Sequence, residues 1–112
     1  ERPFSGEYDD FYKEGIYICN RCNNPLFDSK AKFDAGCGWP SFDQTIKGGV
    51  KEYTDPNDFL NRTEVTCANC NAHLGHVFLG EKFTKTDTRH CVNSLSIKFI
   101  PKGTNLPKVI NT

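Results

Sequence analysis

No apolar stretch in these 112 residues approaches the roughly 20 that a helix needs to cross a bilayer, which excludes a helical membrane span. Net charge is missing too. The 14 Lys and Arg balance 14 Asp and Glu, and no basic run reaches the length of a nucleic-acid patch, so capture of a polyanion is not the default function. No segment carries a convincing amphipathic helical period, which leaves a mainly β domain of short antiparallel strands with little helix. There is too little chain for two domains. Residues 1–112 read as one domain, with 1–12 an irregular arm, 101–112 a loose tail, and a modest core to which a metal clip would matter. The chain opens on Glu1 rather than Met, so the absence of a signal peptide leaves the compartment open.

Cysteine is what the chain has in quantity. Four of the six form Cys19-Asn20-Arg21-Cys22 and Cys67-Ala68-Asn69-Cys70, and each pair follows a strand-like run: Gly15 to Cys19 in the first case, Arg62 to Cys67 in the second. Two such knuckles about forty residues apart can fold into one tetrahedral thiolate site, a ligand set that favours zinc. Two small disulfides or a redox-active Cys-x-x-Cys are the competing readings. With four sulfurs no position stays open for water or substrate, so the metal would be structural, one ion per chain. Two matching knuckles fit ligation better than crossed bridges, and this points to a reducing compartment such as the cytoplasm.

Elsewhere, turn signals at Lys47-Gly48-Gly49 and Asp55-Pro56-Asn57 bracket a strand from Val50 to Thr54. His73 to Leu79 reads as a strand after the second knuckle, and Gly80 to Thr88 as a polar connection. A last strand begins near Cys91, with Leu95, Ile97 and Phe99 on its buried face, and ends at Pro101. Gly36 to Phe42 reads as neither helix nor strand.

The knuckles leave Cys37 and Cys91 as singles. Arg89 and His90 directly precede Cys91, and cationic neighbours lower a thiol pKa, so a reactive thiol is one reading and a buried, inert strand cysteine is the other. Cys37 is flanked by Gly36 and Gly38, which permit unusual backbone angles and bare the sulfur. Trp39 beside it is either a core anchor or an aromatic wall. His73 and His76 are three apart and would face opposite sides of a regular strand, meeting at one point only if that strand is bent.

Taken together, Gly36-Cys37-Gly38-Trp39-Pro40-Ser41-Phe42, Arg62-Thr63-Glu64-Val65, His73-Leu74-Gly75-His76-Val77-Phe78 and Arg89-His90-Cys91-Val92-Asn93-Ser94, interleaved with the two knuckles, resemble the B-type methionine sulfoxide reductases. The motifs occur in the family's order across residues 1–100. The resemblance implies two small antiparallel sheets with a four-cysteine zinc clip, and an oxidoreductase of protein repair under oxidative stress that reduces methionine (R)-sulfoxide. It also implies Cys91 as nucleophile and Cys37 as resolving cysteine, through a sulfenic acid, an intramolecular disulfide and recycling by thioredoxin. His76 and Asn93 would hold and protonate the sulfoxide oxygen. Trp39 would pack on the substrate methyl, with Phe42, His73 and Arg89 completing the substrate-binding set. The partners implied are oxidised proteins or peptides and thioredoxin, with no nucleic acid or membrane, and the chain is expected to be a monomer.

Two departures stand out. His90 replaces the family's usual Tyr or Phe and is expected to add charge beside Cys91. The Glu81 to Thr88 connection lacks the usual Pro-Thr-Gly. The competing function is a non-enzymatic zinc-ribbon-like module, which the knuckles alone permit, and a thiol-disulfide exchanger using the Cys-x-x-Cys pairs is a third. Keeping Cys37, Trp39, His76, Cys91 and Asn93 together argues for the enzyme.

Overall fold

The computed structural model describes residues 2–54, 56–57, 59 and 62–111. Strands β1 (Gly15–Cys19), β2 (Pro25–Asp28) and β9 (Ile97–Pro101) form a small antiparallel sheet in the order β2-β1-β9. The larger sheet runs β3 (Lys32–Phe33), β4 (Ser41–Phe42), β8 (Thr88–Val92), β7 (His73–Leu79), β6 (Thr63–Cys67), β5 (Val50–Thr54), antiparallel throughout. Helix among the described residues is limited to two single 3-10 turns, Ser29–Ala31 and Ser94–Ser96. The expected mainly β architecture in two antiparallel sheets is what forms.

An aromatic cluster joins the two sheets. Phe27 stacks flat on Phe42 at 4.3 Å, Tyr17 meets Phe42 edge-on at 5.1 Å, and all three are fully buried. Each such pair contributes about 0.5–1.5 kcal/mol beyond the area it buries. The irregular arm adds Tyr8, edge-on to Tyr17, and Phe11, edge-on to Phe99. Lys32 fastens that arm from below. Its ammonium donates to the Asp9 carbonyl at 2.9 Å and lies 3.9 Å from the Tyr12 ring centre. Of the arm, Glu1 lies outside the described residues.

Two expectations are corrected, and one further strand is added. The run from Cys91 to Pro101 is not one strand, because a 3-10 turn after Asn93 breaks it and swings Leu95 out to 75% exposure. The segment before Phe42 is indeed irregular, yet Ser41–Phe42 pairs with both β3 and β8 and so carries the register of the larger sheet. Two residues are too few for an alternation signal, so neighbours alone make this strand. Pro25–Asp28, whose Leu26 and Phe27 stand out only as apolar points, is a true edge strand of the small sheet. The tail is irregular but tied: Ile110 donates its N–H to the Cys22 carbonyl and Asn23 its side-chain amide to that of Lys108. Of the turn at Asp55-Pro56-Asn57, Asp55 lies outside the described residues, as does Thr112 of the tail.

Candidate active site and metal centre

The two knuckles are built alike. Each leaves a strand, β1 or β6, and closes when the asparagine after its second cysteine, Asn23 or Asn71, donates N–H to the carbonyl of Cys19 or Cys67 at 2.9 Å. Both asparagines sit at positive φ, 69° and 66°, which asparagine tolerates better than most residues. The turns face each other, with Cys19 Sγ 3.7 Å from Cys70 Sγ and Cys22 Sγ 3.5 Å from Cys67 Sγ. All four sulfurs lie within 4.8 Å of one another. Sulfurs about 2.3 Å from a tetrahedral zinc would be roughly 3.8 Å apart, close to the two shortest separations in the cluster. Burial pushes the Cys19 thiol up to about 12. Burial also works against the Cys22 thiolate, but hydrogen bonds from the Asn69 side chain and Asn24 backbone outweigh it and hold that thiol at about 7. The four cysteines are positioned to hold a metal ion, and loading it would release protons.

The other two cysteines meet where β4 pairs with β8 in the larger sheet. Cys91 on β8 stands opposite Ser41 on β4 and His76 on β7, so the three side chains share one face. From the loop before β4, Cys37 places Sγ 4.0 Å from Cys91 Sγ. Gly36 and Gly38, at φ 69° and 91°, make this loop possible, and a Cβ at Gly38 would fall 2.6 Å from Pro3 of the arm. Trp39 follows, half-buried and outside the core cluster.

The histidines converge as a bent strand allows. Thr66 pairs with His73 and Val65 with Gly75, so Leu74 is the extra residue of a bulge that turns His73 to the face of His76. Their rings lie edge to face at 5.5 Å, and His73 Nδ1 is 2.6 Å from Glu64 Oε2 on β6. Asn93, directly after β8, is held over the bulge by its backbone N–H and side-chain amide, both donated to the Leu74 carbonyl at 2.9 and 3.4 Å. Arg89, two residues before Cys91, reaches the same face. Glu81 grips it with bonds of 2.7 and 3.2 Å, and Phe78 lies 4.4 Å below its guanidinium.

Charge falls differently from the sequence expectation. Burial raises the Cys91 thiol to about 12, with the nearby Cys37 adding to the rise; Arg89 pulls the other way and does not prevail. His90 does not stand beside Cys91 at all. Strand alternation turns it to the opposite face, where Nδ1 lies 3.1 Å from the Phe42 carbonyl, and burial holds its pKa below the usual value, so added charge beside Cys91 is not what the substitution supplies. Phe42, fully buried against Phe27, is likewise on the core face and supports the site from beneath.

Sequence reasoning gave no role to Ser41, Glu64 or Glu81. Glu64 was discoverable, since it alternates onto the face of β6 that meets the histidine strand. Ser41 needed the β4–β8 pairing, and Glu81 a loop that no local pattern describes. A wide cleft lined by Tyr12, Ile16, Asp28, Lys30, Ile100 and Leu106 lies across the small sheet. It contains none of the six cysteines, and the chemistry follows the thiols.

Fold and site thus define a small β domain that carries a facing thiol pair beside a histidine-carboxylate couple, together with a separate four-thiol cluster. A SelR domain matches residues 1–101. Peptide methionine sulfoxide reductase B3 of Arabidopsis thaliana is 54% identical over 95% of this chain, B5 of Oryza sativa subsp. japonica 54% over 90%, and MsrB of Pseudomonas savastanoi 50% over 91%. The chain belongs to the SelR domain family, that of the B-type methionine sulfoxide reductases. It spans 60% of the length of the first of these relatives, and 74% and 78% of the other two.

Proposed function

We propose that this domain reduces methionine (R)-sulfoxide, in oxidised proteins or peptides, to methionine. The observation that carries the reading is the 4.0 Å approach of Cys37 to Cys91 on the face that also presents His76. Cys91 acts as nucleophile. A thiol kept protonated by burial brings with it the proton that the sulfoxide oxygen must gain, and His76 and Asn93 are placed to guide that oxygen. Cys91 Sγ attacks the sulfoxide sulfur as its proton passes to the oxygen; the hydroxyl then transfers to Sγ as the S–O bond and the transient S–S bond break, so methionine departs and Cys91 is left as a sulfenic acid. Cys37 then attacks it, water leaves, and a Cys37–Cys91 disulfide forms. A dithiol protein such as thioredoxin reopens the disulfide by exchange.

Trp39, half-buried at the site's edge, serves as the wall for the substrate methyl. A chiral sulfur whose methyl and oxygen are both held can be accepted in one hand only, which is the basis for R selectivity. His73, fixed by Glu64, backs His76; Arg89 lends positive charge near both thiols, and Phe42 holds the floor. Cys19, Cys22, Cys67 and Cys70 would hold one structural zinc, whose contribution is stability and not chemistry. Free thiols and thiolate ligands suit a reducing compartment such as the cytoplasm. The reading requires only one copy of the chain.

The deciding assay incubates the protein with each epimer of a methionine sulfoxide peptide and dithiothreitol. Methionine should form from the R epimer alone and vanish with Cys91→Ser. Turnover of both epimers alike, or full activity in Cys91→Ser, would overturn the reading.

A further inference from the structure

Ser41 belongs to none of the roles assigned above, yet it is the fully buried hydroxyl nearest the thiol pair in the register of the sheet. Its Oγ lies 3.4 Å from Cys37 Sγ and 3.2 Å from the Trp39 carbonyl, which is itself 3.5 Å from Cys37 Sγ. The three groups close a triangle with one shared acceptor. A carbonyl can only accept, whereas a hydroxyl can donate to either neighbour by rotating about its C–O bond.

While Cys37 is a thiol, its S–H and the Ser41 O–H both have the Trp39 carbonyl in reach. Once Cys37 loses its proton, the sulfur can only accept, and the carbonyl lone pairs face it unfavourably. The Ser41 hydroxyl then turns from carbonyl to sulfur and supplies a charge-assisted hydrogen bond at a distance already set. β4 keeps the hydroxyl in place, because Ser41 is paired with Cys91 itself and Val92 donates its N–H to the adjoining Pro40 carbonyl at 3.0 Å.

We propose that Ser41 is a positioning residue for the resolving half of the reaction, its rotating hydroxyl stabilising and aiming the Cys37 thiolate at Cys91. The inference rests on the reductase reading for its context. In the step concerned, the Cys37 thiolate attacks the sulfenic sulfur of Cys91, the S–S bond forms and the S–O bond breaks. The departing hydroxide leaves as water with the proton that Cys37 gave up, and no outside oxidant or reductant enters. Ser41 has no part in release of methionine, which precedes it.

Two measurements test this. In a Cys91→Ala background, alkylation of Cys37 by iodoacetamide near neutral pH, mapped by peptide mass, should slow about tenfold on Ser41→Ala, since a hydrogen bond to a charged group is lost. Ser41→Thr, which keeps the hydroxyl, should restore most of that rate. With the R sulfoxide peptide and no reductant, Ser41→Ala should release methionine as fast as the unmutated protein. Its Cys37–Cys91 disulfide should nevertheless appear about tenfold more slowly, with more sulfenic acid trapped by dimedone. Equal alkylation in all variants overturns the role, as does equal slowing by Ala and Thr, which would mark packing and not the hydroxyl. If the unmutated protein releases no methionine, the reductase reading fails, while the alkylation contrast still decides Ser41.

Discussion

The two cysteine groups of this domain are assembled by opposite means. At the knuckle end, each pair is pre-shaped by five consecutive residues, Cys19 to Asn23 and Cys67 to Asn71, and folding has only to bring two finished halves face to face. At the thiol pair, nothing local is finished: Cys91 on β8 meets a loop cysteine held by a two-residue strand, and its histidine partners converge only through a bulge at Leu74. The first arrangement tolerates no movement once a metal is bound. In the mechanism proposed above, the second lets Cys37 and Cys91 close from 4.0 Å to a bond of about 2.05 Å and open again. On the proposed reading, a rigid clip in one cysteine group and mobility in the other are complementary requirements of one small domain.

The sharpest break of this comparison is removal of the metal. With zinc in the cluster as proposed, stripping it with a chelator, or replacing Cys67 by Ser, should cost on the order of 10 kcal/mol, comparable with the whole net stability of a domain. Circular dichroism with urea titration should then show a largely unfolded chain. Replacing Cys37 and Cys91 together by Ser should cost less than about 1 kcal/mol, because both are only half-buried and hold no element in place. Equal losses in the two cases would mean the thiol pair is as structural as the cluster.

A second experiment separates the ends from the other side. Gly75 on β7 passes so close to β8 that an added Cβ would lie in contact with the Cys91 carbonyl, a backbone group that cannot step aside. Gly75→Ala should therefore cost up to about 3 kcal/mol and shift Cys91 against His76, lowering methionine formation on the order of 100-fold. Metal content should stay at the unmutated value. Activity within about twofold of the unmutated protein would show that the β7–β8 register does not set the site.

The same contrast explains what could be read from the chain. The knuckles, β1, β5 and β7 were legible because each is a local pattern, a spacing or an alternation that ends in a turn. Ser41, Glu81 and the true orientation of His90 were not, because each depends on which strand lies beside which. His90 shows this most clearly: adjacency in sequence suggested charge beside Cys91, while strand alternation sends the two side chains to opposite faces. Leu95 misled in the reverse direction, fitting an apolar alternation that the 3-10 turn interrupts.

The smallest expected effect concerns that histidine and the line between the core and the thiol face. His90 is 4% exposed, with Phe42 and Phe27 against it from the core side, Glu52 of β5 3.9 Å from Nε2, and Asp43 close behind β4. Burial depresses its pKa, and the Phe42 carbonyl, Glu52 and Asp43 only partly compensate. A base whose folded pKa lies below its unfolded value of about 6.5 leaves the unfolded chain holding more protons in the interval between the two. The stability that neutral His90 supports is thus fully present above about pH 6.5 and falls as the pH drops towards the folded value, with a slope of at most about 1.4 kcal/mol per pH unit. His90→Phe keeps an aromatic ring in the core, gives up the bond to the Phe42 carbonyl, and should change stability at pH 7.5 by no more than about 1 kcal/mol. Between pH 7 and pH 5.5 the unmutated protein should lose more melting temperature than the variant does, while zinc content and single-turnover methionine release at pH 7.5 remain alike in both. Parallel melting curves across that interval would show that His90 takes up a proton as readily in the fold as in the unfolded chain. A large loss of methionine release in the variant would instead return His90 to the thiol face.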